Sequence, residues 1–431
     1  MKSAKVIIGS AFGDEGKGLF TDYLASHSED NSCVVRFNGG AQAGHTVETS
    51  DGKRHVFSHF GSGSFAGLPT VLSRFFVCSP ITFLREHKEL LALGLAPDVC
   101  ADMACPVTTP YDIMVNQIVE QARGNHRHGS VGVGFGETLE RQLHKEYALC
   151  LGDLENTDFL RHRLDDVRRK WVYARLKGLG LAEVEAEWSQ RFGSDALCER
   201  FIADCKEFAS AISITPAAHL KSWDHFIFEG AQGLLLDQER GWFPHVTRSN
   251  TGIRNVLTLA GEMGMRDLDV YYLTRSYTTR HGAGPLPHEL GRLPYEGIVD
   301  NTNRPHSYQG TLRFAWFDAD LFRDTVLRDL KDGGRQFTLR PHVAMSCLDQ
   351  IKGEARYIEN GVLCGTTAEG LLDLTCHKIG AEKGLASYGT TRATIKPLNK
   401  RSILCRPCSR KSDGLLQSFD IGKNNIAAIE A

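Results

Sequence analysis

Little in this chain favours one sign of charge. Its 431 residues include 50 Lys and Arg against 52 Asp and Glu, a formal net charge of −2. Nothing therefore draws the whole surface toward nucleic acid or an anionic membrane. No apolar run approaches the roughly 18 residues of a membrane-crossing helix. The opening "MKSAKVIIGS" has only Val6 to Ile8 as consecutive apolar residues, too short for a secretory signal, so a cytoplasmic protein is expected. Internal repeats and low-complexity tracts are absent. Cysteines at ligand spacing are scarce as well. Of twelve, only Cys405 and Cys408 of "CRPC" are so spaced, and zinc would need Cys376 and His377 too. Reduced thiols are the expectation.

What is present is a run of apolar segments that lead into turns or loops. "KVIIGS", "CVVRFNGG", "TVLSRFFVCSP", "HFIFEGAQG", "LDVYYLTRSY" and "HVAMSCLD" read as buried strands, and helical stretches separate them. That alternation predicts an α/β protein: one large domain with a central, mostly parallel sheet, its ligands bound beyond the carboxyl ends of the strands. Residues 155–220 carry helical periodicity with dense charge and read as an inserted helical subdomain. The basic run Arg161 to Lys170 in it reads as a solvated helix face. From residue 396 to 431 the chain reads as a basic, irregular tail.

The segment "GSAFGDEGKGLFTDYLA", residues 9–25, resembles a phosphate-binding loop but departs from the Walker spacing. Ala11 stands where the first glycine belongs, and Gly18 where the hydroxyl that holds magnesium belongs. Asp14 and Glu15 occupy the loop itself. Gly13, Gly16 and Gly18 allow close approach of an anion, and Lys17 offers a point charge. A carboxylate there coexists with phosphate if it holds Mg²⁺ or serves as a base. A second glycine loop, "RFNGGAQAGHT", ends in His45, suited to donate to an oxygen that gains charge.

"GDEGKG" followed by "NGGAQAGHT" resembles the adenylosuccinate synthetase family. "FSHFGSG", "FEGAQGLLLD", "FPHVTRSNT", "YTTRHGAGPLPHEL", "CLD" and "SYGTTR" continue the likeness over roughly residues 5–395, in the family's order. The resemblance implies a ligase and a homodimer, with neither membrane nor nucleic acid as partner. Its substrates would be a purine nucleotide acceptor, GTP and L-aspartate. It implies Asp14 as the base that takes N1–H from a 6-oxopurine, and His45 as the acid beside the transferring phosphoryl. Mg²⁺ would be held by Asp14 and the Gly44 carbonyl. Gly13, Glu15, Gly16, Lys17, Gly18, Gly44, Thr46, Asp349, Ser387 and Gly389 would contact the donor nucleotide. Gln42, Ser130, Val131, Lys145, Gln232, Thr247 and Arg313 would contact acceptor or amine.

Departures from the family pattern bear on substrate. Phe12 replaces a tryptophan, Gln42 an asparagine, and Cys347 the lysine that packs on the donor base. The arginine-rich aspartate loop becomes "HSYQGTLRFAWFD", with Arg313 left to hold a carboxylate. Two further readings therefore accompany IMP ligation. One is the same chemistry on dGMP or GMP with GTP or ATP, as in viral relatives, although that group commonly lacks the loop aspartate. The other is a purine-nucleotide-binding paralogue without turnover.

Overall fold

The computed structural model describes residues 2–124, 130–298 and 311–399. Its centre is the strand Ser3–Gly9, in which Val6, Ile7 and Ile8 are fully buried. Such a run, apolar on both faces, suits a strand flanked by parallel neighbours under helices. His225–Gly233 and Asp267–Arg275 pair with it in parallel on either side. Ser32–Arg36, Thr70–Leu72, Val99–Asp102 and Ser213–Thr215 extend the sheet beyond the first of these. Thr338–Ser346, Lys383–Ser387 and Ile395–Asn399 extend it beyond the second, giving ten strands. Every pairing is parallel except the last, where Ile395–Asn399 runs back along Lys383–Ser387.

Two expected boundaries shift. The stretch 155–220 is helical over Thr157–Asp166, Val172–Gly178, Ala186–Gly193 and Asp195–Ala211, yet it also supplies the edge strand Ser213–Thr215, whose Ile214 and Thr215 are β-branched. The expected tail is part of the sheet as far as Asn399, because residues 395–399 complete a ladder with 383–387. Cys405 and Cys408 lie outside the described residues, and Cys376 is buried.

One core packs the sheet against helices Arg254–Glu262, Ala319–Leu330 and Ala368–Ile379 through Val256, Leu259, Phe322, Val326, Leu371 and Leu372. A second joins Leu160, Leu164, Trp171 and Phe208 of the helical stretch to Phe83 and Tyr111. The helical stretch thus shares its core with helices Pro80–Ala92 and Pro110–Arg123 of the sheet's flank. Among the described residues no helix is long and apolar enough to cross a membrane.

Candidate active site

The acidic turn follows the Ser3–Gly9 strand, with Gly13 (φ +108°) and Gly16 (φ +90°) in left-handed backbone that glycine alone adopts without strain. Glu15 folds back into this turn. Its carboxylate accepts from the amides of Ala11 (3.0 Å) and Gly13 (2.8 Å) and from Lys17 Nζ (3.2 Å). Lys17 also donates to the Gly13 carbonyl at 2.5 Å, and both side chains are buried. Amides that a Walker loop turns on phosphate are here held by the loop's own anion. Asp14 differs in every respect. It is half-buried, its backbone carbonyl accepts from Arg275 Nε, and its Oδ2 lies 3.6 Å from His281 Nε2.

Missing side chains bring the second loop against the first. A Cβ on Gly18 would stand 2.6 Å from the Thr46 carbonyl oxygen and 3.0 Å from the His45 carbonyl carbon. Helix Lys17–Ala25 therefore rests on the backbone of strand His45–Glu48. A Cβ on Gly39 would meet Ala231 at 2.4 Å, and one on Gly233 would meet the Ala11 carbonyl oxygen at 2.4 Å. Three strand ends thus converge on one crevice.

His45 is buried, and its Nδ1 lies 2.7 Å from Glu229 Oε1. Ser62 donates to the same carboxylate through its amide (3.0 Å) and its hydroxyl (2.5 Å). Burial, with Arg36 and Lys17 nearby, lowers the His45 pKa to about 4 although Glu229 opposes the shift. Burial alone would raise Glu229, but His45, Arg36 and the Ser62 hydroxyl outweigh it and bring it to about 2. An ionised carboxylate only accepts, so Nδ1 carries the imidazole proton. His45 Nε2 is buried with no partner among the described residues. Glu229 is not among the site residues expected from the sequence. An acid in the apolar run "HFIFEGAQG" was its signal, since acids are almost never fully buried without a partner.

The other expected residues fall into three groups. Gln42 and Thr46 belong to the crevice. Both amide heteroatoms of Gln42 and the Thr46 hydroxyl are buried without partners among the described residues, and a ligand can satisfy such atoms. Gln232, the last residue but one of its strand, has φ +64°, and a Cβ on Gly13 would touch its Cα at 3.3 Å. Gly44 is exposed beside His45.

A second group lies at the ends of the strands on the other side of the centre. Asp349 is exposed on the 3₁₀ turn Leu348–Gln350. Ser387 is buried and donates to the Gly389 carbonyl at 2.8 Å, shaping its own loop. A third group sits on the flank. Ser130 donates to Asn116 Oδ1 at 3.0 Å and accepts from the Gly132 amide at 3.1 Å, with Val131 half-buried between them. Thr247 donates through its amide to the Leu236 carbonyl at 2.8 Å. Arg248 pairs with Glu140 of helix Phe135–Gln142 and so ties that segment to the flank. Lys145 is exposed.

Arg313 is already engaged. It donates to both oxygens of Glu289 (2.7 and 2.5 Å) and, through Nη1, to the carbonyls of Gly282 and Gly284 (2.9 Å each). Arg280 beside it is buried and donates to the carbonyls of Ala283, Pro285 and His245, with Phe12 under its guanidinium at 4.5 Å. Burial, and the Arg313 charge, bring the Arg280 pKa down to about 10. The two arginines fold the 281–289 loop, and this Glu289–carbonyl clamp is not visible in sequence. Residues 306–310 of the rebuilt aspartate loop lie outside the described residues.

A half-buried carboxylate on a glycine turn and a carboxylate-backed histidine stand on adjoining loops at the carboxyl edge of a parallel sheet. These define an enzyme of the α/β class that handles nucleotide phosphates. The adenylosuccinate synthetase family model matches residues 6–368, and the chain belongs to that family of C–N bond-forming ligases. Adenylosuccinate synthetase of Tolumonas auensis is 32% identical over 369 residues, covering 82% of this chain and 79% of its own. That of Picrophilus torridus is 31% identical over 363 residues, covering 83% and 80%. The fully ligated adenylosuccinate synthetase of Plasmodium falciparum superposes with a TM-score of 0.69 at 17% identity, covering 93% of this chain and 100% of that one. Cyanophage S-2L succinoaminodeoxyadenylate synthetase, bound to dGMP and dATP as an energy donor, gives 0.58 at 15%, covering 92% and 95%.

Proposed function

We propose that the chain couples GTP cleavage to joining L-aspartate to C6 of IMP through a 6-phosphoryl intermediate. The observation that supports this most is that the helix following the Asp14 turn packs directly on the backbone of His45 and Thr46 through Gly18, which brings the loops of the proposed base and acid together. A protein that only bound nucleotides would have no use for the pair. Asp14, not consumed by its loop as Glu15 is, takes the N1 proton and leaves O6 nucleophilic. His45 acts where O6 meets the γ-phosphoryl group: with Nδ1–H held by Glu229, it becomes an acid there by taking up a second proton on Nε2, which the negative charge of the bound phosphates favours and the Glu229 carboxylate stabilises. Gln42 supplies an amide to the acceptor. Asp349 accepts from the N–H donors of guanine on the donor.

One carboxylate and one carbonyl fit Mg²⁺, which commonly takes few protein ligands and fills its shell with phosphate oxygens. Asp14 and the Gly44 carbonyl would hold it. When bound, it neutralises charge on the transferring group. The cell compartment proposed is the cytoplasm and the assembly a homodimer, with exposed Lys145 offered to the acceptor phosphate across the interface.

The same chemistry on dGMP, with ATP in place of GTP, is the second reading. It is favoured by the replaced purine-site lysine, Cys347, and by the occupied Arg313. Positional isotope exchange in labelled GTP and ATP, run against IMP, GMP and dGMP with and without L-aspartate, tests both. Exchange with dGMP alone would replace the first reading by the second, and no exchange with any acceptor would refute both.

A further inference from the structure

Resting on that reading, we infer that Glu229 is a positioning residue for His45, fixing the ring so that Nε2 points at the reacting oxygens. Four observations carry it. Glu229 is fully buried in the middle of a central strand, where an acid has no structural reason to stand. Its Oε1 lies 2.7 Å from His45 Nδ1. Its carboxylate is also held by Ser62, whose hydroxyl donates to the same Oε1 and whose amide donates to Oε2, so the group is fixed at both oxygens. The opposite ring nitrogen, Nε2, is the one left buried and unpartnered.

The arrangement follows the general logic in which a carboxylate selects a histidine's tautomer and orientation while the other nitrogen does the chemistry. Arg36 completes it. Its guanidinium is fully buried, and its positive charge lies close enough to favour ionised Glu229. Arg36 makes no salt bridge among the described residues. It donates to the Phe60 carbonyl at 3.2 Å, lies over the Phe76 ring, and leaves Nε and Nη2 without partners. The "FSHFGSG" segment acquires a purpose in the same way. Glu86 accepts from the amides of Ser58, His59 and Phe60, and so fixes the backbone from which Ser62 reaches Glu229.

Two measurements separate this role from plain support of the fold. The first is the ring ¹⁵N spectrum of His45 in the ligand-free protein, which needs no turnover. Wild type should show the proton on Nδ1, the minor form of free histidine, and Glu229→Gln should shift it toward Nε2. The second is positional isotope exchange in a double-mutant cycle. Glu229→Gln should slow exchange ~10²-fold or more, with nucleotide KM values changed less than about threefold, by analogy with removal of one preorganised group. In a His45→Asn background the same change should cost less than about threefold, because the group it positions is gone.

Should Glu229→Gln fail to fold, Ser62→Ala keeps the acid and loosens it, and a roughly tenfold loss is expected. A wild-type proton on Nε2, or losses that multiply across the cycle, would overturn the assignment. No exchange in wild type with any acceptor would refute the ligase reading and leave the ¹⁵N result standing on its own.

Discussion

Replacing Glu15 by glutamine should cost stability as well as turnover, whereas Asp14→Asn should cost turnover alone. In the native loop the Glu15 carboxylate takes two backbone amides and Lys17, all within 3.2 Å, and Glu15 and Lys17 are 3% and 2% exposed. Glutamine keeps the volume but opposes Lys17 with a neutral amide. A buried cation that loses its partner costs ~3–5 kcal/mol. Each charge-assisted amide bond that is lost would add ~1.5–3 kcal/mol in isolation. These terms share one site and do not add, so a total near 3–5 kcal/mol is expected. Much of it should appear as local opening of the 10–18 turn. Hydrogen exchange of a peptide spanning residues 9–25, together with denaturant titration, reads both parts. Protection of Ala11 and Gly13 should fall ~10²-fold or more in Glu15→Gln and stay native in Asp14→Asn. Equal protection in the two variants would refute the division of labour between the two acids.

Asp14→Asn should leave nucleotide binding within a few fold and lower kcat ~10²-fold or more; a kcat above a tenth of wild type would remove it as the base. Asp22, buried under Arg392 with its nearest oxygen 3.1 Å from Nη1, has a pKa raised to about 6 by burial against the arginine's pull. Its stabilising contribution is complete below pH ~4 and lost as pH rises through 6, by ~2–3 kcal/mol. Asp22→Asn should therefore flatten the stability profile between pH 4 and 6, and an unchanged slope in denaturant titrations would count against it. Arg313→Leu should release the 281–289 loop and raise the KM for aspartate more than that for either nucleotide, whether the arginine touches the carboxylate or only folds the loop. Arg313→Lys tells the two apart, since a lysine keeps the charge but cannot span Glu289 and two carbonyls. Rescue by lysine would favour direct contact. Finally, Asp349→Asn should narrow a preference for GTP over ATP in kcat/KM, and equal use of both donors by wild type would contradict a guanine-reading role.

The sheet was legible because parallel strands buried on both faces read as unbroken apolar runs, and "KVIIGS" and "HFIFEGAQG" are such runs. Thr70–Leu72 was less so, since only three residues of "TVLSRFFVCSP" form strand before the chain bends. Ser213–Thr215 and Ile395–Asn399 were hidden for a different reason. Both are short edge strands fixed by pairing with a distant neighbour, and neither "SIT" nor "IKPLN" announces one. Asp14 and His45 stood out because glycines surround them. Glu229 and Ser62 did not, because their importance lies in whom they touch, across 184 and 167 residues of chain. Glu15 was visible as an anomaly in a phosphate loop, but its inward turn toward Ala11 and Gly13 is a property of the folded backbone.

Gln232 and Cys347 hold left-handed backbone, φ +64° in each case, at the ends of two sheet strands that feed the crevice. Neither is a residue that adopts it without strain, and each costs on the order of 1 kcal/mol relative to glycine there. A selection or redesign guided by thermal stability alone would therefore favour glycine at 232 and 347. It would gain a sturdier protein and erase one side chain beside the Gly13 turn and another just before the turn that carries Asp349. Under the proposed function these are two positions where robustness and activity pull in opposite directions, and a variant library scored on both should show them as a trade-off front rather than a shared optimum.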